Sequence, residues 1–290
     1  MLTEQDLYRI EELAKDKRRV FELGMGPLGD NLYKIVRSLG IQLIQVPFPD
    51  EKGNDVDPFS ALYLSSKEKG HSICYIGINT TDYWDRQLFA LAHELYHHFE
   101  SLDSFVLCRG LDHTSELRER RANRFAAEFL LPTERLIHEV KNKNNGGLKI
   151  ETWSLTALLR FVAELHCDYR LPYKAIVRRL NEIQAIDLDT LERLFKIDAR
   201  DPDGVYWVTG VNISRDVFLQ LNSRTRTFGV EGENLGKLID NFEDGLISLQ
   251  ELSEDLQLFG KSLEDYKLMD EMMEDGEDLS LLYEGDEGEG

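Results

Sequence analysis

The sequence predicts an α+β fold: a small mixed sheet packed on helices, followed by a helical, helix-turn-helix-like region and a C-terminal α/β extension. Three observations predict it. Two amphipathic helical stretches open the chain, short apolar runs of strand character follow between residues 41 and 80, and helical spacing of apolar residues then dominates to about residue 186.

Leu2 to about Leu23 places leucines at helical spacing among many charges, and a second helix near Leu28 to Leu39 stops at Gly40, as a C-cap glycine would. IQLIQVPF and ALYLSS read as strands. In HSICYIGINT (71–80) the alternation sets Cys74, Ile76 and Ile78 on one face and Ile73, Tyr75 and Gly77 on the other. Asn79, Thr80, Thr81 and Asp82 offer caps for the helix that follows. A further helix spans 115–132, a short one comes next, and KNKNNGG (141–147) is the best linker in the chain.

From Trp153 to about Ile186 two helices break around Cys167 to Pro172, with Arg170, Lys174, Arg178 and Arg179 near the second. A plain packing hairpin is favoured over a DNA-binding one for this stretch, because Glu164, Asp168 and Glu182 dilute the basic face. VYWVTGV and VFLQL make 205–230 strand-rich, and Leu235, Leu238, Ile239, Phe242, Leu246 and Ile247 mark a C-terminal helix or two. The division expected is 1–145 for a first domain, 146–186 for the helix-turn-helix-like region, 187–262 for a C-terminal domain and 263–290 for an acidic, disordered tail.

With 290 residues the chain needs no disulfide framework, and Cys74, Cys108 and Cys167 are too widely spaced for a zinc-ribbon or redox pair. Neither a signal-peptide pattern nor a membrane-length apolar run occurs, so a cytoplasmic protein is expected. The net charge of −20 argues against wholesale nucleic-acid binding. Residues 264–290 hold −11 of it, leaving −9 for the rest. The tail reads as a solvated end, with Leu279, Leu281, Leu282 and Tyr283 as an alternative docking segment or plug.

The chemistry is concentrated in LAHELYHHFE (91–100). On a helix advancing about 100° per residue, His93 and His97 lie about 40° apart, so both imidazoles can reach one ion. Glu94 sits where the general base of an HExxH zinc site stands. Leu88, Phe89, Ala90, Leu91, Ala92 and Leu95 make the flanks apolar, and unpaired His and Glu on such a buried helix would be costly.

A catalytic zinc takes three protein ligands and an open position. Asp103 stands where one zinc-protease pattern supplies its last ligand, but that pattern needs Gly at the place of Glu100. The later helix offers Glu116, Glu119 and Glu128. Ala122 and Ala126 form a small-residue stripe that allows close approach to another helix, and Glu119 falls on it. Glu116 is about 60° off the stripe and comes second, whereas Glu128 points away. Asn123, one turn after Glu119, is placed to orient a ligating histidine.

FALAHELYHH and ERRANRFAAEFLLP together resemble the two signature helices of the ImmA/IrrE-like family of zinc-dependent metallopeptidases, an HExxH clan whose third ligand is a glutamate. The resemblance covers chiefly residues 71–132 and implies a zincin-type active helix, zinc on His93, His97 and Glu119, and Glu94 as general base. It also implies the substrate: relatives cut a helix-turn-helix repressor in stress or mobile-element switches. Tyr96 departs from the small residue, often Gly, that many relatives carry there, which suggests a narrower cleft floor. The expected substrate strand is HSICYIGINT, and the oxyanion-stabilising group is open among Tyr83, His98, His113, His166 and Tyr169, with His98 most simply an exposed neighbour of a ligand. The rival function is a DNA- or protein-binding regulator, or the toxin of a toxin-antitoxin pair, in which zinc only holds the fold.

Overall fold

A computed structural model describes residues 2–29, 31–48, 60–68, 71–100, 113–231, 238–239, 241–258 and 261–263. Asp103, Cys108 and the acidic tail from 264 onward lie outside the described residues, as does the side chain of His113. The fold is α+β, as the alternation of patterns predicts.

Helix α1 (Glu4–Val20) starts at a capping box in which Thr3 and Asp6 exchange hydrogen bonds. Helix α2 (Asn31–Ser38) ends in a Schellman motif. The Ile41 N–H returns to the Val36 carbonyl, the Gly40 N–H to that of Arg37, and Gly40 takes the left-handed φ of +66° that this ending needs.

Strands β1 (Gln42–Val46), β2 (Ala61–Glu68), β3 (His71–Asn79) and β4 (Gly229–Glu231) form a mixed sheet in the order β2-β3-β1-β4. β3 runs parallel to β1 and antiparallel to β2, while β4 joins the far side of β1 antiparallel. The predicted alternation of β3 holds: Ile76 and Ile78 are buried and Ile73 faces out.

Against the inner face lies α3 (Trp84–Glu100), and α4 (His113–Leu130) packs on α3. Then come α5 (Thr133–Lys143), α6 (Leu155–Tyr169), α7 (Tyr173–Glu182), α8 (Leu188–Phe195), α9 (Val205–Ile213), α10 (Arg215–Leu221) and, after β4, α11 (Leu249–Leu258). One buried apolar core runs from Ile10 to Leu221, and Leu252, Leu256 and Leu263 make a second small cluster. No described helix is long and apolar enough to cross a membrane.

The strand-rich expectation for 205–230 is corrected: most of it is α9 and α10, and β4 is the only strand there among the described residues. The β-branched and aromatic run has high strand propensity, but tertiary packing overrides it. Tyr206 is buried against His166, and Gly210 lies so close to the Phe218 ring that a side chain there would overlap it.

The helix-turn-helix-like pair is α6 and α7, joined through Arg170 in the left-handed region at φ +56°. Arg179 does not face outward with Lys174 and Arg178. It is buried, donating to Glu128, Thr133 and the Leu131 carbonyl. Arg178 lies over the Phe195 ring, so the exposed basic face is thinner than the sequence suggests.

Candidate metal centre

The apolar run before His93 buries Leu88, Leu91, Ala92 and Leu95, which seats α3 deep in the molecule. Ala122 and Ala126 are buried on the facing helix, and their small side chains allow the approach that brings Glu119 to the histidines. His93 Nε2 is 2.9 Å from Glu119 Oε2, His97 Nε2 is 3.5 Å from Glu119 Oε1, and the two Nε2 atoms are 3.2 Å apart. These three are the group of metal-ligating side chains that the described residues bring together.

Their spacing fits a metal. Four-coordinate tetrahedral bonds of about 2.0–2.1 Å set neighbouring donor atoms about 3.3–3.4 Å apart, which the observed separations bracket. Exposure of the side chains rises from 0% at His97 to 13% at His93 and 35% at Glu119, so the site opens on one side only. Burial acts to raise the Glu119 carboxyl, but hydrogen bonds from both histidines outweigh it and hold the group down to about 2. The carboxylate is therefore ionised and ready for a cation.

Glu94 is buried next to the donors, and its Oε2 has no hydrogen-bond partner among the described residues. Burial pushes its carboxyl up to about 7, with the charge of His93 opposing. An unpartnered buried carboxyl of this kind is poised to exchange a proton with something that enters the site.

Of the other candidates, Glu116 is exposed and pairs with Arg120 at 2.5 Å, and Glu128 is buried among Arg124, Arg179 and Thr133. Asn123 Oδ1 lies 3.1 Å from His93 Nδ1. Tyr96 is turned into the core, its ring against His97 and Phe125.

The oxyanion-stabilising group stays open: several of the candidates have other partners, and the side chain of His113 lies outside the described residues. The Tyr83 ring lies within 4.1 Å of the Arg200 guanidinium and 4.9 Å of that of Arg224, and Tyr169 is bonded to Arg135 and Glu139. His98 is half-buried rather than exposed, 3.1 Å from the Tyr63 hydroxyl. β3 is an interior strand, covered by β2 on one edge and by β1 from Tyr75 to Asn79 on the other, which disfavours it as the strand that receives a substrate.

Sequence reasoning missed the buried group of Asp85, His166, Tyr206 and Arg200 at the start of α3. An acid in the first turn of an apolar helix and a histidine inside LLRFVAELHC were the signals for it, but nothing in their spacing joins them.

Comparison with known families follows the same outline. Residues 36–181 match the family model described as the IrrE N-terminal-like domain, a peptidase family. No curated protein and no solved structure matches the chain. The matched stretch spans half of the sequence and contains both helices that carry His93, His97 and Glu119, so the chain belongs to the IrrE N-terminal-like family of peptidases.

Proposed function

We propose that the protein is a zinc-dependent endopeptidase that cuts one regulatory protein, a helix-turn-helix repressor, as the resemblance of its two signature helices implies. The observation that carries the reading is the close triad of His93, His97 and Glu119 beside the buried Glu94, whose Oε2 has no hydrogen-bond partner among the described residues. His93, His97 and Glu119 would hold the ion. Zinc, when bound, supplies Lewis acidity and lowers the pKa of water towards neutrality.

The protein's own groups do the rest. Glu94 takes the proton from the attacking water and passes it to the leaving amine. Asn123 holds His93 from behind, and the apolar flanks of α3 keep bulk water from the inner side of the site. A narrow specificity is part of the proposal, and degradation of casein by the purified zinc form would overturn it.

The test is metal content by mass spectrometry together with repressor cleavage. Wild type and Glu94→Gln should each carry about one zinc per chain, and Glu119→Ala much less. Cleavage should need both Glu94 and Glu119. A chain that carries no zinc after reconstitution, or cleaves unchanged as Glu94→Gln, sinks the proposal.

A further inference from the structure

Asp85, in the first turn of α3, is a charged side chain with no exposure to solvent. Arg200, from the loop after α8, grips both its oxygens, with Nη2 at 2.5 Å from Oδ1 and 2.7 Å from Oδ2. His166 Nε2 on α6 approaches Oδ2 to 3.1 Å, off the axis of a good hydrogen bond, and His166 Nδ1 is 2.9 Å from the Tyr206 hydroxyl on α9. Arg200 also donates to Asn222 and stacks over the Tyr83 ring. The same turn of α3 is held again from residues 223–225: the Trp84 N–H donates to the Ser223 carbonyl at 2.9 Å, and Gln87 Nε2 lies 3.2 Å from Thr225 Oγ1.

Burying an ion pair seldom gains stability over apolar residues of the same volume. What directional polar contacts supply, and apolar packing does not, is a single register: a helix can slide in an apolar groove at little cost, but not past a buried, charge-assisted contact in which Arg200 Nη2 meets both oxygens of Asp85. Register matters here because two donors sit on α3 and the third on α4. A slip of one residue along α3, about 1.5 Å, would break the spacing of about 3.3 Å that a metal needs.

We infer that Asp85 and Arg200 are positioning residues for the metal centre, fixing the register of α3 and so holding His93 and His97 against Glu119. The inference rests on the metal reading of that triad. Most of the gripping groups, Arg200, Tyr206, Ser223 and Thr225, lie beyond the family-matched residues 36–181, which gives the later part of the chain a task in the site.

Cobalt(II) binding by the full chain, followed by visible absorption, tests this alongside circular dichroism. Arg200→Met should bind Co2+ at least about tenfold more weakly, with shifted absorption bands, at a temperature where its helical signal is native. Arg200→Lys should recover most of the affinity. Thr225→Val, which removes the Gln87 contact together with a long one to the Thr227 hydroxyl, should weaken binding about threefold and decides the matter if Arg200→Met fails to fold. Wild-type affinity and spectrum in the folded variants, with only a lower Tm, would overturn the inference. Wild type that takes up no cobalt would overturn the metal reading itself.

Discussion

His93 Nδ1 and Asn123 Oδ1 lie 3.1 Å apart, on the side of the imidazole away from the Nε2 that meets His97 and Glu119. Asn123 Oδ1 can only accept, so it favours a proton on Nδ1, and a cation that displaces the Nε2 proton shared with Glu119 would meet the Nε2 lone pair. The amide thus favours one tautomer and one angle of the ring.

Removing that support should weaken metal binding without abolishing it. Asn123→Ala is expected to lower zinc affinity about 10- to 100-fold, measured by competition with a chelating dye, and Asn123→Asp to keep most of it. Equal affinities in wild type and Asn123→Ala would show that packing alone orients His93.

Glu94 and Glu119 should separate cleanly. Glu94→Gln is expected to keep about one metal per chain yet lose at least about 100-fold in kcat, because it removes the proton acceptor and not a donor atom. Glu119→Gln should lose metal, and its residual activity should rise with added zinc. Metal loss in Glu94→Gln would mean that Glu94 itself ligates.

Acid should act on the contact between α4 and α7 through Glu128. Burial works against ionising this carboxyl, but Arg179 and Arg124 outweigh it and hold its pKa below the ordinary 4.5. The folded-state pKa is depressed, so the stabilisation is present above about 4.5 and is lost as pH falls through the lower folded value. Glu128→Gln should flatten the acid arm of a urea-unfolding profile. At neutral pH it should cost about 1–3 kcal/mol, since buried Arg179 then keeps only the more exposed Glu182 as its carboxylate partner.

How far the sequence speaks depends on whether the deciding contacts are local. His93, Glu94 and His97 share one helix face, so helical geometry alone groups them, and the alanines beside Glu119 made a long-range contact legible because small residues announce close approach. The β1–β3 pairing was not legible: periodicity gives each strand its inner face but not its neighbours, and β3 proved to be interior. Arg179 misled for a related reason. Among four basic residues near α7, only the position of Glu128 on another helix decides which one turns inward.

The helical character of 205–221 gives the last test. VYWVTGV alternates like a strand, and a strand would tolerate alanine at Gly210 with little cost. In the α9–α10 corner, however, Gly210 faces the Phe218 ring at a distance that leaves no room for a methyl group, and Phe218 is itself buried against His166 and Tyr206. Gly210→Ala must push that ring into the core beneath, and overpacking of this kind costs about 1–3 kcal/mol. The expected outcome is a fall in Tm of several degrees, with Gly210→Ala/Phe218→Leu partly restored because the smaller side chain yields the space. A neutral or stabilising Gly210→Ala would instead favour the extended reading of this stretch, since alanine improves a helix only where its methyl has somewhere to go.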